Sequence, residues 1–242
     1  MSIRAVICDI YQTVLEVCPP PADAAARWAA LWLAVLKTPP RISLDQFSAQ
    51  TQEIIDREHG VARNRGALYP EIFWSSVVCN VLPELDALAG DQRDNFVWQQ
   101  ISLLHSVRLN PGAAEGLRAL HARGIALGIA SNAQGYTLKE LDAALVPAGL
   151  SRQLFTPSLC FFSFEHGFSK PDPEVFHWVT ARLGKLGIAP HETVMIGNRL
   201  DNDIGPAKAQ GWQTWHFAPP TLVEGAQEGD WAQFMRWLDG QA

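Results

Sequence analysis

The sequence predicts an α/β protein in which a three-layered parallel-sheet (Rossmann-like) core carries an inserted helical cap subdomain. Residues 3–10 are apolar on both faces, which is typical of a central parallel strand covered by helices. Residues 23–104 show helical periodicity without a strand pattern, whereas the chain beyond Asn110 alternates between helical and strand patterns. Such alternation requires crossover connections and a parallel sheet. We therefore expect a core of residues 1–15 and 106–242 and a cap of residues 16–105.

The individual elements follow from periodicity and from the residues that flank each run. In the cap, helices are predicted over residues 23–36, 43–59, 70–81 and 91–104. Ser43 and Asp91 stand at N-cap positions, and Pro39 and Pro40 interrupt the first connection. In the core, helices are predicted over residues 113–123, 136–148, 173–183 and 203–210, and strands over residues 125–130, 157–162, 193–196 and 213–217.

Composition excludes several functional classes. The 242 residues carry a net charge of −6 without any basic run, which argues against nucleic acid or an anionic membrane surface as the partner. No window approaches 18 uninterrupted apolar residues, and the four cysteines lack CxxC spacing, which favours reduced thiols. No signal-peptide pattern opens the sequence. We expect a cytoplasmic protein, a monomer or homodimer, with a small anionic organic substrate and no nucleic-acid or membrane partner.

Polar residues follow four of the predicted strands. Because the carboxyl ends of parallel strands meet at one edge of a sheet, we expect these side chains to lie together. The segments concerned read AVICDIYQT, GIASNAQ, GFSKPDPEVF and VMIGNRLDNDIGPA. The candidate site residues that they supply are Asp9, Tyr11, Thr13, Ser131, Asn132, Lys170, Asn198, Asp201 and Asp203.

These four motifs, in this order and with a helical insertion after the first, resemble the haloacid dehalogenase superfamily of hydrolases with a type 1 cap. The resemblance implies that Asp9 is a nucleophile that forms a covalent intermediate. It also implies that Lys170 balances the charge of Asp9, since a nearby cation favours an ionised carboxylate. Ser131 and Asn132 are implied to donate hydrogen bonds to the substrate, and Tyr11 and Thr13 to line its binding site.

Two departures from the phosphatases of this superfamily concern catalysis. Those enzymes carry Asp-x-Asp-x-Thr, whose second aspartate protonates the leaving alkoxide, but this chain has Tyr11 there. They also carry Gly-Asp in the fourth motif, where this chain has Gly197 and Asn198. A phenol with a pKa of ~10 is a poor general base at neutral pH.

Both departures resemble the 2-haloacid dehalogenases, which carry Asp-x-Tyr-x-Thr, use no metal, and have an aspartate three residues after the fourth-motif asparagine. Halide leaves without a proton, so no acid is needed at Tyr11. By this resemblance Lys170, Asn198 and Asp201 hold the water that hydrolyses the ester on Asp9. The chain differs from this subfamily at Gln12, where glycine is usual, and at Gly197, where serine is usual.

Two alternatives remain open. A magnesium-dependent phosphomonoester phosphatase with an altered general acid would bind the ion through Asp9, the Tyr11 carbonyl and Asp203, with Asn198 as a weaker ligand. A catalytically silent member would bind a small anion or a protein partner. No cofactor is required in the dehalogenase interpretation. The cap residues considered for halide contact are Arg27, Arg41, Arg57, His59, Arg63, Arg65 and Tyr69.

Overall fold

The computed structural model describes residues 2–220 and 227–241. The predicted core range also includes Met1, residues 221–226 and Ala242, which lie outside the described residues. The chain divides into two compact units, one formed by Met1–Glu16 with Arg108–Ala242 and the other by Val17–Val107. These boundaries differ from the expected ones by one or two residues. Within the described ranges, no helix is both long and apolar enough to cross a membrane.

The first unit is built on a six-stranded sheet, and its fold class confirms the prediction. The strand order is β5-β4-β1-β6-β7-β8, and all neighbouring strands are parallel. The central strand β1 is fully buried between β4 and β6, which explains why its sequence is apolar on both faces. The strands are β1 (Ala5–Cys8), β4 (Ala126–Ser131), β5 (Cys160–Phe162), β6 (Thr193–Gly197), β7 (Gln213–Phe217) and β8 (Glu228–Gly229).

Helices connect and cover these strands. One core cluster joins Ile7 of β1 and Met195 of β6 to Val175, Phe176 and further apolar residues of α8. Elsewhere, α5 packs on β4 and α10 packs on α5. The helices of this unit are α5 (Ala113–Ala122), α6 (Gly135–Leu145), α7 (Ser163–His166), α8 (Pro173–Lys185), α9 (Gly205–Ala209) and α10 (Trp231–Asp239), with a π-helical turn at Leu200–Ile204.

The second unit is helical and has an aromatic centre. Its helices are α1 (Ala24–Leu36), α2 (Leu44–Asn64), α3 (Trp74–Val81) and α4 (Gly90–Leu104). The buried Trp28 ring contacts Trp32, Phe47 and Phe96 at centroid distances of 5.7, 5.2 and 6.0 Å. Such edge-on and tilted contacts are favourable beyond the apolar area that they bury.

Several elements differ from the prediction. Ser43 begins α2 with a capping box, as expected. Asp91, in contrast, lies inside the first turn of α4, whose N-cap is Ala89, and so its prediction as an N-cap was wrong. Two short strands, β2 (Leu15–Cys18) and β3 (Ser106–Leu109), pair in a separate sheet that the sequence did not reveal. Four-residue strands with mixed burial carry too little alternation to be recognised.

Candidate active site

A buried lysine joins two aspartates at the carboxyl edge of the sheet. Asp9 directly follows β1, and its Oδ1 accepts a hydrogen bond from Lys170 Nζ at 2.7 Å. The same ammonium donates to Asp203 Oδ1 at 2.6 Å. The exposed fractions of Asp9, Lys170 and Asp203 are 8%, 2% and 1%, so water screens these charges poorly. The three residues form a compact cluster with two negative charges and one positive charge.

Burial and mutual attraction act against each other in this cluster. Burial raises the pKa of Asp9, the Lys170 ammonium lowers it, and the charge of Asp203 raises it again, with a net increase. Burial alone would lower the pKa of Lys170, but the two carboxylates raise it above its ordinary value. Lys170 is therefore a permanent cation at neutral pH, and it holds one oxygen of Asp9 while leaving the other for chemistry.

The loop after β1 places Thr13 beside Asp9. Thr13 Oγ1 lies 3.5 Å from Asp9 Oδ2, and the Thr13 carbonyl accepts hydrogen bonds from Asn110 Nδ2 at 2.9 Å and Trp231 Nε1 at 3.0 Å. Gln12 has a φ of +59°, in the left-handed region that favours glycine. This conformation gives the physical reason why glycine is usual at that position, and the glutamine here adopts it nonetheless.

Asn132, in the second polar segment, holds the backbone of Lys170 in the third. Asn132 Oδ1 accepts the backbone N–H of Lys170 at 2.7 Å, and Asn132 Nδ2 donates to the Lys170 carbonyl at 2.9 Å. Its amide therefore fixes the backbone of Lys170. Ser131, in contrast, ends β4 with a fully buried hydroxyl that has no hydrogen-bond partner among the described residues. A buried unpaired hydroxyl is costly, and a ligand that pairs with it recovers that cost.

The fourth motif contributes Asp203 to the ion pairs instead of Asp201. Asp203 Oδ2 accepts the backbone N–H of Arg199 at 3.0 Å, while its other oxygen binds Lys170. Asp201 is exposed and pairs with the Arg199 guanidinium at 2.7 Å. Asn198 is half-buried, and its carbonyl accepts a hydrogen bond from His216 Nε2 at 3.2 Å. A Cβ atom on Gly197 would approach the Asp203 carboxyl carbon to 2.5 Å, so only glycine fits against this aspartate.

Tyr11 is bound to helix α6. Its hydroxyl lies 2.8 Å from Thr137 Oγ1 and donates a very short hydrogen bond to Glu140 Oε2. Burial, together with repulsion from Glu140, raises the pKa of Tyr11 far above its ordinary value, so the phenol stays protonated. Thr137 and Glu140 are buried residues that sequence reasoning missed. Both residues lie on the same helical face as the buried Leu141, and this spacing could have indicated that they are buried as well.

The oxygen donors of the site include two carboxylates, those of Asp9 and Asp203. Magnesium sites in proteins usually rest on one or two carboxylates with near-octahedral geometry. Here Lys170 already binds one oxygen each of Asp9 and Asp203, and the fourth motif offers the amide of Asn198. Within residues 2–220 and 227–241, no group of three or more His, Cys, Asp or Glu side chains is arranged to hold a metal.

The cap residues considered for halide contact all belong to the second unit. Within that unit, Arg27 pairs with Asp23 at 2.8 Å. Arg41 donates to Glu84 at 2.7 Å and to the Val81 carbonyl at 2.9 Å. Both guanidinium groups therefore have partners in their own unit.

Comparison with known proteins places this geometry in a family. A family model for haloacid dehalogenase-like hydrolases matches residues 3–211. Phosphoserine phosphatase from Thermus thermophilus is 34% identical over 103 residues, which are 43% of this chain and 38% of that protein. The chain thus spans well under two thirds of this curated relative.

Two solved structures share the fold over nearly the whole chain. A 2-haloacid dehalogenase from Pseudomonas syringae has a TM-score of 0.61 at 18% identity, covering 99% of this chain and 100% of that one. A putative HAD-hydrolase from Bacillus subtilis bound to magnesium has a TM-score of 0.54 at 21% identity, covering 99% and 100%. At these identities the likeness shows the fold alone. The family match over residues 3–211 establishes that the chain belongs to the haloacid dehalogenase-like hydrolases.

Proposed function

We propose that this enzyme hydrolyses a small 2-haloacid through a covalent ester on Asp9, as 2-haloacid dehalogenases do. The observation that carries the proposal is the hydrogen bonding of the Tyr11 hydroxyl within the protein. At the position where phosphatases of the family have their acid–base aspartate, the phenol is engaged by Thr137 and Glu140. Halide needs no proton to depart, so a site without an acid at this position suits it.

The first step uses Oδ2 of Asp9, the oxygen that Lys170 does not hold. Its electron pair attacks the carbon that bears the halogen, a carbon–oxygen bond forms, and halide leaves with the carbon–halogen bonding pair. Lys170 holds the other carboxylate oxygen at 2.7 Å and fixes the direction of attack. The buried Ser131 hydroxyl offers a donor for the substrate carboxylate. The product is a neutral ester between Asp9 and the former 2-carbon of the acid.

The second step hydrolyses this ester. Water adds to the carbonyl carbon of Asp9 while a base takes one of its protons. The tetrahedral intermediate then breaks its bond to the alkoxide of the hydroxy acid, which receives that proton from the protonated base, and Asp9 returns to the carboxylate by losing the second water proton to solvent. We assign the base to Asp203 in place of Asp201, because Asp203 shares Lys170 with the nucleophile. Each carboxylate oxygen carries two lone pairs, so Asp203 retains acceptor capacity beyond its bonds to Lys170 and Arg199.

A second candidate is phosphomonoester hydrolysis. It is favoured by Gly197, since dehalogenases usually have serine there and Asp203 occupies the space of such a side chain. The curated relative from Thermus thermophilus is a phosphatase as well. Magnesium in this alternative would be held by Asp9, the Tyr11 carbonyl and Asp203, with Asn198 as a weaker ligand.

A parallel turnover screen of the wild type and Asp9→Asn tests the proposal. It measures halide release from bromoacetate and chloroacetate in EDTA, and phosphate release from a phosphomonoester panel with magnesium. Asp142→Asn, which removes an exposed carboxylate paired with Arg152, is the matched control. We expect halide release in EDTA that is lost only in Asp9→Asn. Phosphate release that needs both Asp9 and magnesium would refute the dehalogenase proposal in favour of a phosphatase. No turnover in either assay would refute it in favour of a protein that only binds its ligand.

A further inference from the structure

The contacts of Tyr11 form a buried network that links the first motif to helix α6. Thr137 Oγ1, which contacts the phenol, also accepts the backbone N–H of Gln134 at 3.0 Å. Gln134 is the N-cap of α6 and follows Ser131 by three residues. Glu140, one turn further along the helix, is only 4% exposed. The network therefore ties Tyr11 to the helix that begins at the second motif.

Glu140 determines where the phenolic hydrogen points. A buried carboxylate needs hydrogen-bond donors, and bonds to an ionised acceptor are stronger and shorter than bonds between neutral groups. The Tyr11 hydroxyl donates its hydrogen to the carboxyl group of Glu140. A phenol has a single hydrogen to donate, so a hydrogen directed at Glu140 is not available to another acceptor.

We propose that Glu140 is a positioning residue that withholds the Tyr11 proton from the leaving group, so that the site favours substrates whose leaving group departs as a weak base. This inference rests on the proposed function, which it extends to leaving-group selection. Bromide and chloride depart readily without a proton, whereas fluoride and alkoxides are much more basic. The enzyme should accordingly show a steep order of rates, with bromoacetate fastest, chloroacetate next and fluoroacetate slowest.

The first experiment tests the contact itself and needs no activity. Thermal midpoints are measured for the wild type, Tyr11→Phe, Glu140→Gln and the double variant, with Glu115→Gln as the control for loss of an exposed carboxylate. We expect each single variant to lower the thermal midpoint. The double variant should lower it by clearly less than the sum of the two single decreases, because the two side chains share one interaction. Strict additivity would overturn the assignment of Glu140 as the partner of Tyr11.

The second experiment tests leaving-group selection. Glu140→Leu removes the acceptor and leaves the phenol in contact with Thr137, so its hydrogen can turn to a leaving group. Fluoroacetate turnover should therefore rise relative to bromoacetate turnover by roughly 100-fold, the lower end of the usual size of acid assistance. Adding Tyr11→Phe should restore the steep ratio. If Glu140→Leu does not fold, Glu140→Ala takes its place, because alanine also lacks an acceptor, and the same direction of change is expected.

A uniform loss of turnover on every haloacetate, with the ratio unchanged, would overturn leaving-group selection. Absence of halide release from all variants would overturn the proposed function and the selection that rests on it. The thermal measurements would then still decide whether Glu140 holds Tyr11.

Discussion

Replacement of Lys170 by methionine is the sharpest test of the charge cluster. Methionine keeps an unbranched chain of similar length and removes only the ammonium. In the wild type that ammonium lies 2.7 Å from Asp9 and 2.6 Å from Asp203, and all three side chains are almost fully buried. Lys170→Met would therefore leave two carboxylates facing each other without their cation.

The magnitude follows from the cost of an uncompensated buried charge. Removing one partner of a buried ion pair destabilises a protein by about 3–5 kcal/mol. The loss depends on pH, because protonation of either carboxylate relieves it. The pKa of Asp9 is already raised by burial, and without the ammonium that lowers it, it lies still further above its unfolded value. The folded variant therefore binds more protons than the unfolded chain, and its stability falls as pH rises. We expect the full loss at pH 8 and a smaller one at pH 5.

Urea unfolding, monitored by tryptophan fluorescence at both pH values, measures this effect. Lys185→Met in the last turn of α8 controls for loss of a lysine elsewhere. Lys170→Met combined with Asp203→Asn should recover part of the loss, because it returns the cluster to a net charge of −1. A loss under about 1 kcal/mol, or one that is equal at pH 5 and pH 8, would refute the reasoning about buried charge.

Three further outcomes are expected. Gln12→Gly should raise the free energy of unfolding by about 1 kcal/mol, because it removes a left-handed conformation from a residue with a Cβ; no gain in urea stability would contradict this. Gly197→Ser should destabilise by about 1–3 kcal/mol, since the new side chain meets Asp203, and a thermal midpoint equal to that of the wild type would show that the aspartate moves freely. Asp201→Asn breaks only the exposed pair with Arg199, so it should change the free energy of unfolding by less than about 1 kcal/mol and leave turnover intact. Asp203→Asn should instead reduce turnover at least 100-fold. Equal effects of the two variants on turnover would contradict the assignment of Asp203 as the base.

The sequence was sufficient to predict the parallel core and the proximity of Asp9 to Lys170, because these depend on repeated local patterns. Fully buried strands such as β1 consist of apolar residues on both faces, and polar residues after several strands mark one edge of the sheet. Lys170 and Asp9, 161 positions apart, were thereby expected to meet, and they do.

The same reasoning could not decide between Asp201 and Asp203. These residues are two positions apart in a π-helical turn, and only the backbone path of that turn directs one side chain to Lys170 and the other to solvent. The partners of Tyr11 were missed for a related reason. Thr137 and Glu140 lie on α6, and nothing local to Tyr11 indicates which helix its hydroxyl reaches.

The position of β1 in the sheet has a consequence for folding kinetics. This strand precedes its two neighbours along the chain by about 120 and 190 residues, since it pairs with β4 from Ala126 and with β6 from Thr193. Contacts of such large sequence separation form slowly, because the intervening loop must close first. On a ribosome the segment carrying Asp9 would emerge long before either neighbour exists, and its apolar faces would remain exposed meanwhile. The enzyme should therefore depend on chaperones, or on early folding of the inserted helical unit, more than a protein of similar size with local strand pairing.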